Sequence, residues 1–335
     1  MYYNLSLNGA IMKKILITGI TGFIGTHLAL KLKQEGYVVY GITKPSVTKN
    51  LAQFKEFLRD ITVINCDVSD YYSTHNIISK INPDVVVHLA ALSPVRDSFE
   101  KPFSYISTNI VGTTNIVQSL LKLQSTEEKK LIYASTAEVY GEQKSKPIKE
   151  DVALNPTSPY AITKAATDMY VRMASNIYGL NTTVMRCTNS YGRKFDTSFF
   201  VEYLITTMLK KEKVYIGAPS SIRDYMYVDD HVNAYMRAIH IDHKSGEAFN
   251  FASQNEMTNK EVAFKIADEL NFDTHNIILG KYPHNYPLRP LESDQTFISL
   301  DATKSKRILK WKPHTSFKEG LNETIEYWKK NINNY

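Results

Sequence analysis

Residues 15–36 constrain the fold of this 335-residue chain more than any other stretch. Ile15-Leu16-Ile17-Thr18 reads as a buried strand, runs into Gly19-Ile20-Thr21-Gly22-Phe23-Ile24-Gly25, and gives way to a helical pattern from Thr26 to Glu35 that Gly36 can stop. Glycines let the backbone turn tightly and approach a pyrophosphate. The helix N-terminus behind them offers unpaired N–H groups and the positive end of its dipole. A glycine pattern alone is weak, but a strand before it and a helix after it make a phosphate-binding element.

The alternation continues. Strands are expected at Tyr37–Ile42, Ile61–Asn65, Asp84–His88, Leu131–Ser135 and Thr182–Cys187, and helices at Val47–Leu58, Asp70–Ile81, Pro102–Leu123 and Pro156–Tyr178. This order predicts an α/β fold, a Rossmann-type doubly wound parallel sheet. Ligands on such sheets sit beyond the carboxyl ends of the strands, where Gly19, Asp67, Ala90, Thr136 and Asn189 gather. After Asn189-Ser190-Tyr191-Gly192 the regular order fails. Helices at Phe199–Lys211, Thr258–Leu270, Asp301–Leu309 and Phe317–Lys330, short strands at Val214–Ile216 and Ala248–Phe251, and a proline-rich loop at Tyr282–Pro290 predict a smaller C-terminal α/β lobe for substrate. The expected division is 12–188, with 223–252 returning to it, against 189–222 and 253–335. Residues 1–11 carry no pattern and are expected to form a leader ahead of the fold.

Composition narrows the function classes. At 43% hydrophobic and 22% charged the chain is globular, no apolar run approaches the ~18 residues of a membrane span, and the first residues lack a signal-peptide pattern, so a cytoplasmic protein is expected. Cys66 and Cys187 lack metal-ligand spacing and lie in strand-like runs, which predicts buried thiols and no metal site. The net charge of +6 suits an anionic ligand, but the basic residues are dispersed, which argues against nucleic acid.

Chemistry enters at Tyr160-Ala161-Ile162-Thr163-Lys164. A tyrosine and a lysine at this spacing share one face of a helix, one turn apart. An ammonium near a phenol favours the phenolate, so the tyrosine is expected to fall from ~10 toward the working pH and take a proton from an alcohol.

Over residues 12–330 the chain resembles the extended short-chain dehydrogenase/reductase family, the nucleotide-sugar epimerases and dehydratases. The resemblance rests on the Gly19/Gly22/Gly25 turn, His88-Leu89-Ala90-Ala91, the Ser135–Gly141 strand end and Tyr160/Lys164, with Arg223-Asp224 and Arg289-Pro290 in support. It implies that Tyr160 is the acid/base, that Lys164 also holds the nicotinamide ribose, and that Thr136 bonds the sugar hydroxyl being oxidised. By the same resemblance Gly19, Thr21, Gly22, Phe23, Ile24, Gly25, Leu89, Ala90 and Ala91 hold the dinucleotide, and Asp67 and Val68 meet its adenine. Families that prefer NAD place an acid at the end of the second strand. Here Gly41-Ile42-Thr43-Lys44-Pro45-Ser46 has none, and Thr43, Lys44 and Ser46 resemble the 2′-phosphate cluster of GDP-mannose 4,6-dehydratases, so NADP is expected, with NAD as the alternative. Ser93, Asn189, Arg223 and Arg289 fall where the family binds the nucleotide-diphosphate sugar, whereas Arg96 suits a surface role equally well.

Thr136-Ala137-Glu138 is a hybrid. Glu138 matches the base that sugar 4,6-dehydratases use to remove the proton next to a C4 ketone, and Ala137 matches the epimerases. The reading is a nucleotide-sugar 4,6-dehydratase, a lyase, with a 4-epimerase or 4-ketosugar reductase as runner-up and a non-catalytic nucleotide-binding protein last. The resemblance also implies a homodimer in which the Phe103–Leu123 and Pro156–Tyr178 helices form a four-helix bundle. Ala161, Ala165, Ala166, Met169, Met173 and Ile177 offer wider apolar coverage than one core-facing stripe needs.

Overall fold

The computed structural model describes residues 13–44, 58–123, 129–194, 196–283, 290, 293 and 295–334. The first part runs β1 (Lys14–Thr18), α1 (Phe23–Gln34), β2 (Val38–Thr43), β3 (Thr62–Asn65), α2 (Tyr71–Ile81) and β4 (Val85–His88). The short helices α3 (Asp97–Glu100) and α4 (Pro102–Tyr105) lead through a π turn at Ile106–Val111 into α5 (Gly112–Leu121), followed by β5 (Lys130–Ala134), α6 (Pro159–Tyr178) and β6 (Asn181–Cys187). The long helix expected over Pro102–Leu123 is thus interrupted, because an apolar pattern does not distinguish an i→i+4 turn from an i→i+5 turn. The helix expected at Val47–Leu58 falls, but for Leu58, outside the described residues.

The second part runs β7 (Asn189–Tyr191), α7 (Phe200–Leu209), β8 (Val214–Ile216), β9 (Ile222–Tyr227), α8 (Val228–His240) and β10 (Glu247–Phe251). It ends with β11 (Glu256–Thr258), α9 (Asn259–Leu270), β12 (Ile277–Leu279), β13 (Phe297–Ile298), α10 (Thr303–Ile308) and α11 (Phe317–Asn331).

Seven strands form one parallel sheet in the order β10-β6-β5-β4-β1-β2-β3. Successive residues of each strand serve opposite faces. Ile15, Ile17, Val85, Val87, Ile132 and Met185 join the core on the α1 and α8 side, while Leu16, Val86, Leu131, Tyr133 and Val184 join the one under α2, α5 and α6. The order reverses between β1 and β4, and the crevice at such a point is where ligands bind on this architecture. The chain returns to this sheet after its first excursion. β9 pairs with β7, β11 and β13 in a smaller sheet, whereas β10 pairs with β6, Phe251 beside Cys187. Both cysteines are buried and unbridged. Among the described residues no helix is long and apolar enough to cross a membrane, and no cluster of His, Cys, Asp and Glu could hold a metal.

Candidate active site

The glycine turn fits tightly against the end of β4. Gly19 has φ +71°, and a Cβ there would stand 2.9 Å from the Ala90 backbone, so a side chain is excluded by conformation and by space. A Cβ on Gly25 would stand 2.4 Å from the Gly19 carbonyl oxygen, which lets α1 begin directly on the turn. Gly22 caps α1 without a side-chain hydrogen bond, and the first turn holds no acid. Its N–H groups and dipole are therefore left for an anion, and Gly19, Gly22, Phe23, Ile24 and Gly25 all line the cleft. These residues suit a dinucleotide pyrophosphate.

The residues expected to meet the adenine ribose are more heavily engaged than the sequence indicated. Thr43 is 1% exposed, its hydroxyl 2.7 Å from that of Thr21. Lys44 Nζ lies 2.8 Å from Asp67 Oδ2. Burial works to raise Asp67, but hydrogen bonds from Lys44 and Ser69 outweigh it and hold the carboxyl below its usual range. Two of the three residues expected around a 2′-phosphate thus already have partners, and Ser46 lies outside the described residues. Val68 is buried, its carbonyl accepting from Asn115 Nδ2 at 2.9 Å.

Beyond β5, Thr136 caps the short helical turn Ala137–Tyr140, accepting from the Glu138 N–H at 3.3 Å. Facing it, α6 starts at Ser158, whose hydroxyl accepts from the Ala161 N–H at 3.1 Å, with Pro159 at the first helical position. The two starts bring Thr136, Glu138, Tyr160 and Lys164 into one cavity of about 320 Å³, together with Leu89, Ala91, Ser93 and Asn189. Two larger hollows, of about 450 and 460 Å³, lie around Glu150, Asp151 and Arg172 on the other side of α6. Neither contains the glycine turn or the Tyr160/Lys164 pair, so the smaller cavity is the one with chemistry.

The phenol differs from expectation. Burial pushes the Tyr160 pKa up rather than down; a hydrogen bond with Thr136 opposes this, the Glu138 charge adds to it, and the Arg193 charge opposes it. Burial also lowers the Lys164 ammonium to about 7, with Asp168 acting to raise it. Desolvation governs both members of the pair, a factor that helical spacing does not contain.

Around them is a hydrogen-bonded frame. His88 stands 2.6 Å from the Thr18 hydroxyl and 3.0 Å from that of Thr113, and burial lowers its pKa to about 3, so it is neutral. Asn109, inside the π turn, accepts from the Leu92 N–H at 2.8 Å and donates to the Leu92 carbonyl at 3.1 Å and the Thr163 hydroxyl at 2.9 Å. It joins the segment after β4 to the helix of Tyr160.

Three residues of this cavity or its rim were not singled out from the sequence. Gln295, 2% exposed, donates from Nε2 to Glu138 Oε2 at 3.0 Å, so a residue just ahead of β13 orients that carboxylate. The Arg193 guanidinium lies over the rings of Phe23, at 4.4 Å, and Phe199, at 3.2 Å. His231 Nδ1 is 2.7 Å from the Ser190 hydroxyl and lines the same wall. Only Tyr-Gly-Arg following the last strand could have drawn attention to Arg193. Arg223, expected at the substrate, sits on β9 at 8% exposure and donates from Nη1 to the Ile222 carbonyl at 2.9 Å; it is not among the lining residues. Arg289 is outside the described residues.

Comparison with known proteins agrees with this geometry. The chain is 33% identical to a dTDP-glucose 4,6-dehydratase of Salmonella typhimurium, over 94% of this chain and 92% of that one. A Thermotoga maritima UDP-glucose 4-epimerase structure with UDP-glucose superposes with TM-score 0.84 at 32% identity, covering 95% of this chain and 99% of that one. A Streptomyces venezuelae dTDP-glucose 4,6-dehydratase with NAD bound superposes with TM-score 0.85 at 25% identity, covering 96% and 98%. The GDP-mannose 4,6-dehydratase family matches residues 16–324, which takes in every strand of the large sheet but the first residues of β1, and the chain belongs to that family, among the nucleotide-sugar dehydratases and epimerases of the extended short-chain dehydrogenase/reductase class.

Proposed function

We infer that this chain is a nucleotide-sugar 4,6-dehydratase, which oxidises C4 of an NDP-hexose, eliminates water across C5 and C6 and returns the hydride to C6. The observation that carries this over simple epimerisation is Glu138, a carboxylate in the same cavity as Tyr160 and held by the buried Gln295. Making a carbanion next to a ketone requires a positioned base, and inverting C4 does not. A nicotinamide dinucleotide, when bound, supplies the hydride acceptor and donor. Gly19 and Gly22–Gly25 suit its pyrophosphate, Asp67 and Val68 its adenine, and Lys164 its ribose.

The roles of the protein's own residues then follow. Tyr160 takes the proton of the C4 hydroxyl, which Thr136 bonds, and Glu138 takes the proton from C5. The C6 hydroxyl leaves with the proton that Glu138 carries, because Ala137 has none to give. The proton from the C4 hydroxyl ends on C5, so the sum is one water lost. Ser93 and Asn189, both in the cavity, are the substrate contacts this reading retains, and Arg289 stays a candidate for the diphosphate.

The 4-epimerase reading keeps one specific observation. Ala137 is 3% exposed and cannot protonate a leaving group. Incubation with dTDP-glucose, UDP-glucose and GDP-mannose, read by mass spectrometry, separates the two readings: loss of one water supports dehydration, and inversion at C4 at constant mass supports epimerisation. Glu138→Gln sharpens this, since it should still oxidise C4, visible as reduced-nicotinamide absorbance, yet release at least ~100-fold less product, the usual scale for an acid/base residue.

NADP is the proposed dinucleotide, because no acid at the end of β2 repels a 2′-phosphate. Its binding requires the phosphate to replace Asp67 as the partner of Lys44. NAD, bound in the Streptomyces relative, is the alternative that the existing Lys44–Asp67 pair favours. A homodimer is proposed as well. Exposed Phe103, Ile106 and Val111 on the π-interrupted helix and Ile162, Met169 and Ile177 on α6 form an apolar surface, while Ala161 and Ala165 turn inward. A monomer in light scattering at micromolar concentration contradicts it. A cytoplasmic setting accords with two unbridged thiols.

A further inference from the structure

Four residues after Lys164, α6 presents a carboxylate that the chemistry above does not use. Asp168 is 0% exposed and accepts three hydrogen bonds: from the Ser135 hydroxyl at 2.8 Å and Arg186 Nε at 2.9 Å to Oδ2, and from Arg186 Nη2 at 2.9 Å to Oδ1. Arg186, also 0% exposed, donates from Nη1 to the Tyr140 hydroxyl at 2.8 Å and to the Glu150 carbonyl at 3.1 Å. The Tyr140 hydroxyl in turn donates to Asn250 Oδ1 at 2.7 Å. One carboxylate therefore ties α6 to β5, to the turn that carries Glu138, to β6 and to β10. Ser135 directly precedes Thr136, so this is a strut between the strand end that holds the sugar and the helix that holds the acid/base pair.

We propose that Asp168 is a positioning residue of this active site, fixing the strand end of Thr136 and Glu138 against the helix of Tyr160 and Lys164 and setting a carboxylate one helical turn from the Lys164 ammonium. The proposal rests on the reading of Tyr160 and Lys164 as the acid/base pair. Among the described residues, the groups that interact with Lys164 are His88 of β4, Tyr133 of β5, whose ring centre is 4.4 Å from Nζ, and Asp168 on its own helix. Tyr160 stands one turn away on α6. In the dinucleotide-free protein burial lowers the pKa of the imidazole and raises those of both phenols. Asp168 is the one formal negative charge in this group, and at the next turn of the same helix it faces the same side as Lys164. Removing it leaves the ammonium with only the Tyr133 ring against its desolvation.

The test compares wild type, Ser135→Ala, Asp168→Asn and Asp168→Asn/Arg186→Met. The double variant removes both buried charges, so it folds where Asp168→Asn alone strands the guanidinium. In dinucleotide-free protein, acetic anhydride labelling of Lys164, read by mass spectrometry of its peptide, gives the pH of half-reaction. That pH should fall by at least one unit, about tenfold in proton affinity, in Asp168→Asn and in the double variant, and by less in Ser135→Ala. With the dinucleotide and a nucleotide sugar that wild type converts, the alkaline limb of the pH–rate profile should move down equally. A folded double variant whose Lys164 titrates within about 0.3 unit of wild type overturns the proposal, because a strut without an electrostatic role leaves that value unmoved. If wild type converts no nucleotide sugar, the functional reading fails while the labelling still decides the role of Asp168.

Discussion

Lys164 and Arg186 are buried cations that share Asp168 as their nearby carboxylate, and they are treated in opposite ways. Arg186 meets it through two hydrogen bonds of 2.9 Å, which outweigh the effect of burial and push its pKa further up. Lys164 makes no ion pair among the described residues, lies over the Tyr133 ring, and is lowered by burial to about 7. A planar fork saturated by a carboxylate is a permanent charge and a structural part. A compact ammonium held by an aromatic face and one charge a turn away is adjustable. The strong interaction thus falls on the arginine, and the weak one on the lysine that lines the cavity.

The comparison breaks most visibly at Arg186. Arg186→Met alone leaves Asp168 buried without its partner and should cost roughly 3–5 kcal/mol in denaturant unfolding. A loss under about 1 kcal/mol, the range of exposed pairs, makes Arg186 as dispensable as a surface residue. The second test is Lys164→Met. A base whose pKa falls from 10.5 to about 7 on folding binds protons less well in the folded state. Lys164 therefore lowers stability in full below pH 7, and its cost fades as the pH rises toward 10.5. Replacing it should stabilise the fold by roughly 1–3 kcal/mol near pH 6, with the gain shrinking by pH 10 while turnover collapses. Destabilisation at pH 6 removes the contrast with Arg186. The smallest effect belongs to Lys44, whose pair with Asp67 is 45% and 32% exposed. Lys44→Ala should change stability by less than about 1 kcal/mol. In calorimetry it should narrow any preference for NADP over NAD by roughly 1–3 kcal/mol; wild type that prefers NAD ends the NADP proposal.

The large sheet was legible because its strands are short apolar runs closed by glycines or turn residues, and each run places its last residues in the crevice. Gly19, Ala91, Thr136 and Glu138 line the cavity for that reason, and Tyr160 and Lys164 join them from the start of α6. Residues reaching the cavity from irregular backbone were not legible. Gln295 precedes a strand of two residues, and Arg193 follows the last residue of β7 by one glycine, so nothing periodic marks either. Arg223, expected at the substrate from Arg-Asp at a strand, sits on β9 between β11 and β13, and its guanidinium donates to the Ile222 carbonyl. The phenol's pKa was misjudged because helical spacing records proximity and omits desolvation.

The π turn at Ile106–Val111 has a consequence for the length of this helix. It amounts to one inserted residue, and an α-helix advances by about 100° per residue. Within the turn Asn109 aims at Leu92 and Thr163; beyond it, Thr113 aims at His88 and Asn115 at the Val68 carbonyl. Deleting one residue from 106–111 would leave a regular helix of good composition, yet it would rotate one set of bonds by more than a quarter-turn against the other. Chain length here acts as an address, and a loss of a single residue is read out as misdirection of the site before it is read out as loss of helix.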